Sequence, residues 1–288
     1  MPIDLHAHTY YSDGRFAPAQ VIETAAQRGI RVLAITDHDN TNGAREALPL
    51  AKAAGIELIP AIEITTRWDG VDLPPQDANV DLLGYFIDWD QPDFRAFETA
   101  ALADIHARID WCCRELTRRG TPLSMEEVMA QNPRYGGAVA AINAILNKGL
   151  APDFRAAARR FDSVWFEVRK SEFSIFEAIE LIHRAGGAAV LAHPSIVRPG
   201  GERLTRAHLA KLVDAGLDGI EVYHRRLDLA AREYFLDLAE SLGLLVTGGS
   251  DLHGWLNGFD GFGAQPVTAQ MLLSLRSAAR GNHHGRNI

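Results

Sequence analysis

The chain has 288 residues, a formal net charge of −8, 47% hydrophobic residues and 23% charged residues. This is the balance of a folded soluble protein with one large domain or two small ones, and it excludes a largely disordered chain. The acidic charge argues against binding of duplex nucleic acid, whose partners carry a basic face, although bound metal ions can invert the local field at a site for a phosphorylated ligand.

No apolar run is long enough to span a bilayer, and the N-terminus lacks the basic and apolar regions of a signal peptide. Cys112 and Cys113 are adjacent in a helix-like segment. Helix neighbours do not face each other, so neither an internal disulfide nor a Cys-x-x-Cys zinc pattern is expected, and a cytoplasmic setting fits.

The first stretch, Pro2 to His8, is strand-like and ends in His6-Ala7-His8. Residues i and i+2 of a strand share a face, so the two imidazoles can aim at one point, as a metal ion requires. After a turn through Ser12-Asp13-Gly14, Pro18 to Arg28 reads as an amphipathic helix. A buried strand from Ile30 to Thr36 ends in Asp37-His38-Asp39. The spacing predicts a helix over Asn42 to Ala54 and a strand over Ile56 to Ile64, with Glu63 near its end. Thr65 to Asn79 reads as a loop or widened hairpin, and Val80 to Ile87 as a further strand carrying Asp81.

Helical patterns then dominate, over Phe97 to Leu116, Ser124 to Met129 and Ala138 to Leu146. This predicts a helical insertion over residues 96–152, between barrel segments 1–95 and 153–288. Alternation resumes near Ser174 with a helix over Ile175 to Ala185. The strand Ala188 to Ala192 ends in His193-Pro194, and a helix over Leu204 to Ala215 follows. Leu217 to Tyr223 is a strand followed by His224-Arg225-Arg226. The helix Leu229 to Leu242 leads to the strand Leu244 to Gly248 and then Ser250-Asp251-Leu252-His253. The tail from Arg280, with His283 and His284, reads as polar and loose.

Strand–helix alternation predicts parallel strands with helices outside, and a parallel barrel gathers its C-terminal strand ends on one face. The donors at those ends are nitrogen and oxygen without thiolate, which suits manganese, zinc or iron. They are about twice as many as the four of a closed structural zinc site, so a multinuclear catalytic site is the better reading. Among the acids, Asp37 is a candidate to orient His38, and Asp39 with Asn40 to cap the next helix. Asp37 or Asp39 is a candidate general acid. Arg225 and Arg134 are candidate clamps for a second phosphate, assisted by His224 and Tyr223.

The ordered set His6-Ala7-His8, Ser12-Asp13-Gly14, Thr36-Asp37-His38-Asp39, Glu63, Ala192-His193-Pro194 and Ser250-Asp251-Leu252-His253 resembles the PHP (polymerase and histidinol phosphatase) family. The helical insertion and the run Ala185 to Pro194 resemble its stand-alone subgroup, with nucleoside 3′,5′-bisphosphate phosphatases and short-RNA 5′-exonucleases. The resemblance implies an α/β fold, a distorted (β/α)7 barrel with a small helical insertion domain, holding two to three divalent ions, manganese in preference to zinc or iron.

It further implies that His6, His8, Glu63 and Asp251 hold a first ion, that Glu63 bridges to a second held with His193, and that Asp13, His38 and His253 hold a third. His6, His8, Glu63, His193 and Asp251 would then carry the reaction. The chain departs from the family where Asp81 stands in place of a histidine, and where Pro133-Arg134-Tyr135 is the nearest match to Arg-Pro-His. The implied enzyme is a metal-dependent phosphoric monoester hydrolase that converts a nucleoside 3′,5′-bisphosphate to the 5′-phosphate. The alternatives are stepwise 5′-end hydrolysis of short oligonucleotides, a histidinol phosphate phosphatase, and a non-catalytic scaffold.

Overall fold

Short strands and longer helices alternate along the chain in the computed structural model, which describes residues 1–68, 79–168, 171–194, 204–256 and 258–284. The first part runs β1 (Ile3–Asp4), α1 (Pro18–Gln27), β2 (Val32–Ala34), α2 (Asn42–Ala53), β3 (Glu57–Ile59), β4 (Ala61–Arg67) and β5 (Asn79–Tyr85). Four helices follow without an intervening strand: α3 (Pro92–Arg118), α4 (Met125–Gln131), α5 (Ala138–Asn147) and α6 (Phe154–Trp165). The remainder is α7 (Ile175–Arg184), β6 (Ala188–Leu191), α8 (Arg206–Asp214), β7 (Gly219–His224), α9 (Leu229–Leu242), β8 (Leu245–Gly249) and α10 (Ala269–His284).

The strands pair as two sheets, β1-β2-β3 and β4-β5-β6-β7-β8. Only Pro60, which has no N–H to give a ladder, separates β3 from β4, so the two act as one bent strand. The ring closes through backbone bonds outside the regular ladders. The N–H of Asp251 donates to His6 O at 2.8 Å and that of His8 to Leu252 O at 2.9 Å, which joins the β1 and β8 ends. The N–H of Asp39 donates to Glu63 O at 2.8 Å, which joins the β2 and β4 ends. Seven strands therefore surround one interior, as the distorted (β/α)7 barrel requires.

One strand departs from the parallel expectation: β5 is antiparallel to both β4 and β6. Its connection to β4, residues 68–78, is too short for the crossover that a parallel pair needs. The consequence for function is direct. Residues at the start of β5 lie on the rim where the other strands end, which is where Asp81 sits, paired with Thr65. The predicted loop after Thr65 mostly falls outside the described residues, while β4 itself runs on to Arg67.

Capping explains several helix starts. Ser124 and Ser174 each accept from a backbone N–H within the first turn and receive a glutamate, Glu127 or Glu177, on their own N–H. The helices between β5 and α7 form their own core, in which Ile109, Ala157, Phe161 and Val164 are fully enclosed, and that core reaches Val168. Helix α6, for which the sequence reading assigned no element, thus packs with α3 and α5 beyond residue 152. Its amphipathic repeat is short and begins at Asp153, whose carboxylate accepts from the Ala156 N–H. Helix α10 continues to His284, where a loose tail from Arg280 was expected. Leu275 and Ala279 bury one of its faces, and the Asn282 amide donates to Gly187 O at 2.9 Å.

Candidate metal centre

The rim begins with β1. Leu5 and Ala7 are buried in apolar clusters, so the alternating His6 and His8 turn the other way, into the barrel mouth. Asp4 fixes this end of the chain: its Oδ1 accepts from the His6 and Ser250 N–H groups at 3.2 and 2.9 Å, and its Oδ2 from the Gly263 N–H at 2.8 Å. Asp39, His193 and Asp251 all have left-handed backbone conformations, with φ of 59°, 24° and 52°. Such conformations cost free energy for residues with a side chain and concentrate at functional sites.

The eight residues that the sequence singled out as metal-binding candidates come together at this rim. His6 Nε2 and His8 Nε2 are 3.1 Å apart, and each lies 3.1 Å from Glu63 Oε2. Asp251 Oδ1 lies 3.5 and 3.3 Å from the same two nitrogens. The other oxygen of Glu63, Oε1, is 2.8 Å from His193 Nε2, so this carboxylate spans two neighbouring positions. Asp13 Oδ2 is 3.1 Å from His253 Nε2 and 3.8 Å from His38 Nε2. Four sets of donor atoms each fit within 4.8 Å: His8, Asp13, His38 and His253; His6, His8 and Asp251; His6, Glu63 and His193; and His38, Glu63 and Asp81.

These donors suit cations rather than one another. His6 Nδ1 faces the buried carboxylate of Glu221 at 3.0 Å, so its proton sits on that side and the Nε2 lone pair faces His8 and Glu63. The Ser12 hydroxyl gives its hydrogen to Asp37 Oδ1, so the His8 Nδ1 facing Ser12 Oγ at 3.4 Å carries the His8 proton, and four electron-rich atoms then crowd one point. Only a cation or an added proton resolves that arrangement, and the mixed imidazole and carboxylate set fits divalent manganese, zinc or iron.

The titration behaviour has the same cause. Burial opposes a charge on His6, yet the charges of Glu221 and Glu63 hold its pKa well above the ordinary imidazole range. Burial likewise lowers His38, but Glu63 and Asp13 outweigh it and push it up to about 9. Burial raises Glu63, and the His6 and His38 charges more than reverse that, leaving it well below the carboxylate range. The field favours positive charge, whether carried by protons or by metal ions.

The sequence reading did not single out Glu221. It is wholly buried on β7, with Oε1 on His6 Nδ1 and Oε2 accepting the His193 N–H at 2.9 Å. It thereby orients one candidate ligand and anchors the backbone of another. The available signal was a lone carboxylate inside an apolar strand, because a buried charge must be paired.

His224, expected to assist substrate, is instead fully enclosed. Its Nδ1 accepts the Arg226 N–H at 3.2 Å, so its proton is on Nε2 and donates to Asp251 Oδ2 at 3.1 Å. A register shift between Glu221 and Tyr223 turns both Glu221 and His224 inward despite their odd spacing. Asp37 does not orient His38: its oxygens accept from the Thr9 N–H, the Thr9 hydroxyl and the Ser12 hydroxyl at 2.6–2.7 Å, which fixes the turn before Asp13. Asn40 Oδ1 does accept the Asn42 N–H at the start of α2, whereas Asp39 accepts the Thr65 N–H.

Arg225 reaches within 3.7 Å of Asp251 Oδ2 and stays partly open to solvent. Arg134 lies farther out, stacked over the Tyr10 ring at 4.2 Å. Tyr223 is half-buried, with Arg232 over its ring at 6.0 Å, and does not join the donor cluster. Asp81 does approach it, with Oδ2 3.8 Å from His193 Nε2. Burial and the Glu63 charge raise the Asp81 pKa.

A barrel that gathers imidazoles and carboxylates into several overlapping cation positions defines a metal-dependent hydrolase. The PHP domain family model matches residues 4–160, more than half of the chain, and the chain belongs to that family. Similar proteins include a 5′-3′ exoribonuclease of Haemophilus influenzae, 29% identical over 88% of this chain and 91% of the relative. A phosphoribosyl 1,2-cyclic phosphate 1,2-diphosphodiesterase of Eggerthella lenta is 30% identical over 87% and 94%. A 3′,5′-nucleoside bisphosphate phosphatase of Chromobacterium violaceum is 29% identical over 87% of each chain. The crystal structure of a putative metal-dependent phosphoesterase from Bifidobacterium adolescentis superimposes with a TM-score of 0.83 at 28% identity, covering 96% of this chain and 98% of that one.

Proposed function

We propose that the chain releases inorganic phosphate from a nucleoside 3′,5′-bisphosphate and leaves the nucleoside 5′-phosphate. The observation that carries this reading is the overlap of donor sets around Glu63, which offers adjacent cation positions to one phosphoryl group. Divalent ions bound there supply Lewis acidity, activate water at neutral pH and offset the charge of the phosphate ester. Manganese is the proposed ion, with Asp81 joining Glu63 and His193 or His38 around one position. The proposed compartment is the cytoplasm; no described helix is long and apolar enough to cross a membrane.

The protein's own groups divide the work. Glu221 holds the His6 proton on Nδ1, and His224 donates to Asp251, so both ligands present fixed lone pairs. Asp37 and Ser12 hold the turn that carries Asp13. Arg225, beside Asp251 and partly open, is placed to grip a phosphate oxygen with its guanidinium fork. The four helices after β5, taken as an insertion ending near residue 168, wall one side of the mouth: the Asn132 amide donates to Tyr10 O and Ser12 O at 3.0 and 2.9 Å.

The exoribonuclease relatives favour a second reading, stepwise removal of 5′-nucleotides from short oligonucleotides. A phosphate-release and product screen with manganese separates the two, using nucleoside bisphosphates, short oligonucleotides and histidinol phosphate. The proposal expects phosphate from bisphosphates. Mononucleotides from oligonucleotides alone would favour the exonuclease, and phosphate from histidinol phosphate alone would reject a nucleotide substrate.

A further inference from the structure

Between the metal rim and the helical insertion lies a cavity of about 220 Å³, lined by Asp13, Arg15, Gln131, Arg134, Asn143 and Trp255 among others. One wall, Asp13, belongs to the donor cluster, so the cavity opens directly beside the candidate metal centre. Its volume is below the range of about 300–1,000 Å³ usual for a whole drug-sized ligand, so it suits one part of a substrate.

Its chemistry differs from that of the neighbouring cavity beside Asp39. That one is lined by Arg95 and Glu98, which already pair with each other at 3.0 Å. Here Trp255 contributes an aromatic wall. Gly254 has a φ of 81°, and a Cβ there would run into the Phe16 ring, so only glycine allows the turn that brings Trp255 back over Asp13. The indole N–H donates to Asp13 O at 2.5 Å, and Phe154 of the insertion stacks near-parallel, 9° between planes, with centroids 6.1 Å apart. The indole is thus held in place before any ligand arrives.

The same cavity is lined by polar groups with capacity to spare. The Asn143 carboxamide is half-buried and makes no hydrogen bond among the described residues. Gln131 has its carbonyl taken by the Asn147 amide at 2.7 Å, which leaves its own NH₂ as a donor. Arg15 has no ion pair among the described residues.

We infer that this cavity is the nucleobase subsite: the base stacks on Trp255, Asn143 and Gln131 meet its edge, and Arg15 supplies positive charge at the mouth. The inference rests on the nucleotide-phosphatase reading and extends it to how the base is held. Stacking on an aromatic side chain is worth roughly a tenfold gain in affinity per base.

The test compares the product-like ligands AMP and ribose 5-phosphate, which differ only in the base, by equilibrium binding to the manganese-loaded protein. The wild-type protein is expected to bind AMP about tenfold or more tightly than ribose 5-phosphate, with quenching of tryptophan fluorescence by AMP alone. Trp255→Phe should remove that quenching, and Trp255→Leu should bring AMP down towards the affinity of ribose 5-phosphate. Equal wild-type affinities for the two ligands would overturn the base subsite while leaving a phosphatase reading intact. Quenching that survives in Trp255→Phe would overturn it too. Failure of both ligands to bind, with phosphate released only from non-nucleotide esters, would remove the underlying reading and this inference together.

Discussion

Glu221→Gln isolates the orienting carboxylate at nearly constant shape. Glu221 accepts from two groups, His6 Nδ1 at 3.0 Å and the His193 N–H at 2.9 Å. A glutamine has one carbonyl to offer. The backbone N–H of His193 can only donate, so the carbonyl turns to it and the new NH₂ faces His6. Nδ1 must then accept, its proton moves to Nε2, and the lone pair facing His8 and Glu63 is lost.

Removing such an orienting partner costs about 10–100-fold in metal affinity, which corresponds to about 1.4–2.7 kcal/mol. Competition against a fluorescent chelator at neutral pH measures the change, with thermal unfolding of the metal-free variant as a check on folding. Wild-type affinity in a folded Glu221→Gln protein would refute the assignment of the His6 proton and the role of Glu221.

Three further outcomes are expected. Asp81→Ala should reduce the manganese bound per chain by one ion or weaken that ion's retention on dialysis, since Asp81 completes the set with His38 and Glu63; full wild-type content would exclude it as a ligand. His38 has a folded-state pKa of about 9 against an ordinary 6.5, so in the metal-free protein its stabilising contribution is complete below the lower value and is lost as pH rises through the higher one. Denaturant midpoints of the metal-free protein should therefore fall from pH ~6.5 to ~9 while manganese affinity rises, because an ion needs the neutral imidazole; midpoints that climb across the window would contradict this. Burial, with the neighbouring thiol, pushes Cys112 up to about 12, and burial with the Asp110 charge does the same to Cys113. Alkylation of the native protein at neutral pH should be slow and should become fast on unfolding, and rapid native labelling would place a thiol outside the core.

The barrel was legible because its strands end in polar clusters, and a period of two put His6 and His8 on one face without help from tertiary structure. Asp81 stood out only against the family pattern, as a carboxylate where a histidine is usual, and its place on the rim depends on β5 running antiparallel. Glu221 and His224 were harder for a physical reason. The irregularity in β7 breaks the strand's period, so residues of opposite parity face the same way, and no single-strand pattern encodes that. Asp37 looked like a partner for the histidine beside it, whereas three donors from the turn at Thr9 and Ser12 satisfy it. Trp255 gave no signal in sequence, since its position depends on a turn at Gly254 against Phe16, distant in the chain.

Anomalous diffraction from crystals grown with manganese measures the central arrangement most directly. Peaks bounded by His6, His8, Glu63 and Asp251, by Glu63 and His193, and by Asp13, His38 and His253 are the expected result. A well-ordered rim with no anomalous density within coordination distance of Glu63 would contradict it.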